Sequence, residues 1–210
     1  MTAALARGIR CVVLLVMAAS AAAAQQPELI ERTLAIVGGQ AVTLSDARAA
    51  ITFKLVDVGG SVDPEQTATA RLVDRELMLR EVRRYAPPAP TEAAIEARLG
   101  EIRKAFPGES LARALEISGL TEARLRAWVR DDLRTQAYLA QRFVSASTPT
   151  DVEIANAYAQ QQEEFDRAGT SLAEAAPILR DRLIASRRRE LIADWVADLR
   201  RRTDVILLVQ

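Results

Sequence analysis

The sequence contains no histidine and a single cysteine, Cys11, near its beginning. Histidine is the commonest general base and the commonest protein metal ligand, so its absence excludes a large class of acid–base and metal sites. The chain after Cys11 has no thiol, and therefore no disulfide, zinc–thiolate site or cysteine nucleophile. Aromatic residues are also scarce, at 4%. The chain therefore has few of the side chains on which catalytic and metal-binding sites are usually built.

The common catalytic and nucleotide-binding motifs are missing as well. The glycine pairs Gly38-Gly39 and Gly59-Gly60 belong to no GxxxxGK[ST] or GxGxxG pattern, and HExxH, CxxC and GxSxG do not occur. The adjacent carboxylates Asp131-Asp132 and Glu163-Glu164 diverge on a helix, so we expect them in water. We predict no catalytic residue, no cofactor-binding residue, no metal ligand and no cofactor, and the sequence does not identify peptide-binding residues.

Charge of one sign is not in excess, with 28 basic and 28 acidic residues. The first 24 residues hold two arginines and no acid, which leaves 26 basic against 28 acidic residues in the remainder. This balance argues against a nucleic-acid partner. The clusters Arg187–Arg189 and Arg200–Arg202 could touch nucleic acid or acidic lipid, but consecutive residues splay around a helix, and we favour a structural role.

Residues 1–24 have the three parts of a secretory signal peptide. Arg7 and Arg10 lie at its start, an apolar run follows, and small residues precede Gln25, where we predict cleavage. The apolar run is short for a membrane span, so an uncleaved anchor is the less favoured alternative. We predict export to the periplasm without stable membrane insertion after cleavage.

Two β-prone runs, Leu34–Val37 and Gln40–Thr43, flank Gly38-Gly39 and predict a hairpin with a two-residue turn. The other convincing strand is Val205–Val209, which we expect to pair with the hairpin, with Ile206 and Leu208 on the covered face. The alternative is a hairpin packed on a helix beside a free apolar tail.

Helical spacing and capping signals predict that the rest of the chain is helical. The predicted helices run from Ser45 to about Val56, from Pro64 to Tyr85, from the cap Thr91 to Phe106, from Ser110 to about Ile117, from the cap Thr121 to Phe143, onward from the capping box Thr150–Glu153, and from the capping box Ser171–Glu174 to about Arg202.

The same spacing predicts which side chains of these helices are buried and which are exposed. Trp128 and Trp195 fall on apolar stripes and are expected in the core. Arg71, Arg75 and their acidic neighbours Asp74 and Glu81 are expected to face water, and Pro177 is expected to kink the last helix or shift its start.

The order of these elements resembles the SurA/PrsA/PpiD-type periplasmic foldases, of the trigger factor/SurA peptide-binding superfamily. The resemblance rests on an ordered set of segments over residues 30–210, none diagnostic alone. These segments are Leu34–Ser45, Leu72–Val82, Thr91–Ile95, Gly119–Arg126, Pro149–Ile154 and Arg180–Val209.

The chain departs from that family at one place. In the family, one or more parvulin-type prolyl isomerase domains lie between the elements matched here by Val152–Phe165 and Ser171–Arg202. This chain has only Asp166–Thr170 there, and it lacks the histidines that a parvulin site uses. The resemblance therefore implies the chaperone body without the isomerase domain.

The resemblance implies a mostly α fold, in which a SurA-like multi-helix chaperone domain carries a small antiparallel sheet made of the hairpin and the C-terminal strand. We expect a signal peptide over 1–24 and one chaperone domain over 25–210, with an N-terminal part at 30–165 and a C-terminal helix and strand at 171–209. The expected function is that of an ATP-independent periplasmic holdase, not an enzyme, whose partners are unfolded or partly folded polypeptides such as outer-membrane protein precursors.

Two alternatives stay open at this point. One is a prolyl isomerase family member with residual or misassigned activity, and the other is a structural adaptor for a single envelope protein. The sequence does not determine the client, the oligomeric state or whether a partner supplies isomerase activity.

Overall fold

The sheet joins two distant parts of the chain. A computed structural model describes residues 31–208, in which β1 (Thr33–Val37) and β2 (Gln40–Thr43) form an antiparallel hairpin. Gly38 and Gly39 both have positive φ, 51° and 88°, as a type I′ turn requires. The third strand, β3 (Val205–Leu207), pairs antiparallel with β1, giving the order β2-β1-β3. The predicted closure of the sheet is confirmed.

The described residues contain nine helices between β2 and β3. They are α1 (Leu44–Thr52), α2 (Pro64–Tyr85), α3 (Glu92–Ala105), α4 (Ser110–Ser118), α5 (Glu122–Arg142), α6 (Val144–Ser147), α7 (Asp151–Gln160), α8 (Gln162–Ala168) and α9 (Leu172–Arg202). The fold is therefore mostly α with a small antiparallel sheet, as the sequence predicts.

The first helix differs from its prediction at both ends. Its N-cap is Thr43, not Ser45, because the Thr43 hydroxyl accepts the Asp46 N–H and the Asp46 carboxylate accepts the Thr43 N–H in a capping box. The helix ends at Thr52 instead of Val56, since the backbone of Lys54 turns to φ 50°. The chain from Phe53 to Asp63 is consequently a loop.

Two apolar clusters form the core of what we call the body: the sheet, α1–α5 and the C-terminal half of α9. The first cluster packs the sheet and α2 against α9, and it contains Leu77 and, as predicted, Trp128 and Trp195. The second cluster packs α3 and α4 against α1 and α5, around Ile95 and Leu99. Both tryptophans are core residues.

The C-terminal lobe consists of α7, α8 and the N-terminal half of α9. Its own small cluster has four buried side chains, those of Ile154, Phe165, Ala175 and Leu179. Thr150 and Ser171 open α7 and α9 with the predicted capping boxes. Pro177 lies inside α9, which begins at Leu172, so the proline does not shift the start of the helix. The same helix runs from the lobe into the body and connects the two.

The prediction that Ile206 and Leu208 are covered is wrong. Ile206, Leu207 and Leu208 are 45%, 56% and 43% exposed, and Val205 is the one residue of β3 that packs against the body core. The cause is the register with β1: Val205 pairs with the buried Val37, and Ile206 pairs with the half-buried Ile36.

Several expectations concern parts of the chain outside the described residues. The predicted signal peptide and its cleavage site before Gln25 lie there, as does Val209. Within residues 31–208, no helix is long and apolar enough to cross a membrane.

Candidate functional site

An open groove of about 790 Å³ lies between α2, α5 and α9, and the loop after α1 closes one side. Its apolar lining is formed by Leu55, Val56, Met78, Leu139, Ile192 and Val196. Met78, Leu139, Ile192 and the two loop residues are only half-buried, and Ala193 and Ala197 on α9 are exposed. The groove therefore offers apolar surface to a ligand without any rearrangement of the core.

Helix geometry explains why three distant segments line one groove. On α2 the lining positions are Arg71, Asp74, Arg75 and Met78, which recur at helical spacing on one face. The α9 positions 189, 192, 193, 196, 197 and 200 recur in the same way. The groove borders the first core cluster directly, because Val196 belongs to that cluster and Met78 and Ile192 pack against it.

An ion pair between α2 and α5 forms one wall of the groove. The Arg75 Nε donates to Asp132 Oδ1 at 2.9 Å, and the guanidinium lies 4.3 Å from the centre of the Trp128 ring. Burial raises the pKa of the Asp132 carboxyl, and Arg75 opposes that shift. Asp132 is therefore a half-buried, paired carboxylate, and its predicted place in water is wrong.

A second ion pair joins α2 to the end of α9. The Arg200 Nε donates to Asp74 Oδ1 at 2.7 Å, and its terminal nitrogen lies 3.4 Å from the Ala70 carbonyl oxygen. Arg202 of the same cluster pairs with Glu81 at 3.5 Å. Asp74, Arg75 and Glu81 are thus partly buried between helices, which corrects the prediction that they face water; of the four residues predicted there, Arg71 is exposed.

The arginine clusters on α9 are divided among several partners. Arg187 pairs with Glu153 of the lobe, Arg200 and Arg202 pair with α2, and Arg201 pairs with Asp198 on its own helix. These four arginines do not form one basic face, in keeping with the structural role predicted for the clusters, whereas Arg189 is exposed and has no partner within residues 31–208. Glu163 and Glu164, by contrast, are exposed as expected.

The groove lining also contains a hydroxyl group. The Thr135 hydroxyl lines the groove and donates to the Asp131 carbonyl oxygen at 2.9 Å. In residues 31–208, no three or more acidic, histidine or cysteine side chains are grouped as metal ligands. What the groove presents is apolar area bordered by guanidinium groups.

Sequence reasoning did not identify this groove. Leu55 and Val56 were expected inside a helix, and Asp132 was expected in water. In the structure all three residues line the groove. The partners Arg75 and Asp132 lie on different helices, so no local pattern joins them. One signal of the groove was present in the sequence: α9 has more apolar positions than one core-facing stripe of a helix requires.

No protein-family model matches the chain, and no curated protein matches it. The resemblance to the SurA-type foldases therefore stays a prediction from the sequence.

Proposed function

We propose that the protein is an ATP-independent periplasmic holdase that binds unfolded polypeptides, with outer-membrane protein precursors as the expected clients and no prolyl isomerase activity. The observation that carries the proposal is the open groove between α2, α5 and α9, with its half-buried apolar lining. Periplasmic location rests on the predicted signal peptide at residues 1–24 and not on the groove.

The shape and chemistry of the groove suit an unfolded chain. Exposed, contiguous apolar surface on a soluble domain marks a partner site, and an extended peptide can lay apolar side chains along it. Such binding depends on apolar burial, which needs neither nucleotide hydrolysis nor a metal ion. The expected affinity is modest, because a flexible client loses conformational entropy when it is held.

The test is suppression of client aggregation without nucleotide. A chemically denatured client is diluted into buffer with the purified protein, and light scattering is followed. We expect protection at near-stoichiometric ratios. The variant A193E/A197E places two carboxylates on the exposed α9 positions that line the groove, and we expect it to lose most of the protection.

The matched control is A137E/A140E, which alters two exposed alanines of α5 outside the groove lining. It should protect like the unaltered protein, and circular dichroism should show that both variants are folded. Aggregation that is unaffected by the unaltered protein would contradict the holdase proposal. Acceleration of a proline-limited refolding reaction by substoichiometric protein would instead favour the isomerase alternative.

A further inference from the structure

Two arginines of the groove lack partners within the described residues. Arg71 on α2 and Arg189 on α9 are both exposed, both line the groove, and neither guanidinium makes a hydrogen bond or ion pair in residues 31–208. The other two arginines of the lining, Arg75 and Arg200, are held by Asp132 and Asp74. The groove therefore has two guanidinium groups free to meet a ligand.

The unpaired arginines lie at opposite ends of the groove. Arg200 contacts Ala70 and Asp74, on either side of Arg71 in α2, so Arg71 is at the Arg200 end. Arg189 is about 16 Å from Arg200 along α9, because a helix rises about 1.5 Å per residue. An extended chain advances about 3.3 Å per residue, so a segment of about five residues covers this length, and one residue on each side of it falls just beyond, within reach of a long arginine side chain.

The acidic residues of the lining do not cancel these charges. Asp74 and Asp132 are each paired with an arginine. Asp57 is exposed in the loop after α1, where its Oδ1 accepts the Gly59 N–H at 2.9 Å. Unpaired positive groups thus exceed unpaired negative ones in the groove.

We infer that the groove takes an extended apolar segment of about five residues flanked by an acidic side chain at each end. This inference rests on the holdase function proposed above and specifies its ligand. The apolar side chains cover the groove lining, and the two flanking carboxylates meet Arg71 and Arg189. An arginine guanidinium suits this role because it presents several donors to a carboxylate and stays charged at any working pH.

The test measures binding of three labelled heptapeptides by fluorescence anisotropy. All have blocked ends and the same five apolar central residues, and the two outer residues are glutamate, glutamine or lysine. We expect affinity for the unaltered protein to fall in that order, with the glutamate peptide about two- to tenfold tighter than the glutamine peptide, as two exposed ion pairs allow. High salt should reduce this difference.

The arginine variants locate the effect. R71Q/R189Q should bind the glutamate and glutamine peptides equally, while the control R113Q/R130Q, which removes two exposed arginines outside the groove, should keep the preference. D57N should strengthen binding of the glutamate peptide, because it removes the unpaired negative group of the lining.

The outcomes separate this inference from the proposed function. The unaltered protein could bind the glutamate and glutamine peptides with equal affinity, while A193E/A197E binds neither. That result would overturn the acidic preference and leave the holdase proposal standing. Tighter binding of the lysine peptide would also overturn it. If no peptide binds and the denatured client aggregates unprotected, both proposals are wrong.

Discussion

The body and the C-terminal lobe are stabilised in different ways. The body has two apolar clusters that bring the sheet and six helices together, whereas the lobe has one cluster of four buried side chains. The lobe is stabilised by local devices instead: capping boxes at Thr150 and Ser171, and an ion pair between Arg187 and Glu153. Apolar burial of the size found in the body contributes far more than exposed polar contacts do.

The difference in buried apolar side chains predicts that the lobe opens at a lower free-energy cost than the body. Regions with few buried apolar contacts open locally at low free-energy cost, while the core elements open only in global unfolding. The groove is lined by body residues, so its shape depends on the better-packed region. The lobe reaches the body through α9, the helix that also supplies Arg189 to the groove.

The largest expected contrast comes from matched core truncations. Leu77 in the body and Leu179 in the lobe are each 1% exposed. L77A should reduce the free energy of unfolding by about 2–5 kcal/mol, because a cavity remains in a large packed core. L179A should open the lobe without unfolding the body.

Urea denaturation and amide exchange check this contrast together. L77A should lower the protection of all slow amides, whereas L179A should lower it in α7 and α8 and leave β1 and α2 unchanged. A uniform loss of protection in L179A would show that lobe and body unfold as one unit, and would end the distinction between them.

The next prediction tests the edge of the body at β3. Val205 packs against the body core, while its neighbour Ile206 is 45% exposed. V205D should lower the melting temperature clearly, since it places a carboxylate against apolar side chains, with a cost of about 2–3 kcal/mol. I206D should cost less than about 1 kcal/mol. Equal shifts in a thermal melt of the two variants would contradict the register described for β1 and β3.

Local signals in the sequence predict much of this fold. Two glycines with positive φ specify the turn at Gly38-Gly39, and a hydroxyl three residues before a glutamate specifies the helix starts at Thr150 and Ser171. These features depend on neighbouring residues, so a single sequence is enough to find them. The pairing of β3 followed because a two-stranded hairpin is only marginally stable alone.

The groove could not be predicted, because its parts meet only in the tertiary structure. The end of α1 depends on Lys54 adopting φ 50°. No glycine or proline near Lys54 indicates in the sequence that the helix ends there. Arg75 and Asp132 each read as ordinary surface charges, and only the packing of α2 on α5 makes them partners. The covered residue of β3 was mispredicted for a related reason: alternation in the sequence does not tell which residue of the strand meets the core, and the register with β1 places Val205 there.

The smallest expected effect concerns the response of the two regions to acid. The Arg187 guanidinium, together with the backbone N–H and hydroxyl of Thr150, lowers the pKa of the Glu153 carboxyl from its ordinary 4.5 to about 2. A carboxyl whose folded-state pKa is lowered stabilises the fold above its unfolded pKa and loses that contribution as pH falls from 4.5 towards 2. In the body the shifts have both signs, because burial raises the pKa of Asp132 whereas the Arg126 and Arg103 guanidinium groups lower the pKa of Glu96. The acid response expected of α7 in the lobe comes from the Arg187–Glu153 pair.

The measurement is the protection of α7 amides, corrected for intrinsic exchange, at pH 6 and at pH 3. We expect protection to fall towards pH 3 in the unaltered protein. E153Q should show lower protection at pH 6 and a weaker dependence on pH, because the amide cannot be protonated and pairs less well with Arg187. The control E163Q changes an exposed carboxylate of α8 whose side chain has no partner within residues 31–208, and it should behave like the unaltered protein. An unchanged pH dependence in E153Q would mean that the Arg187–Glu153 pair does not stabilise the lobe.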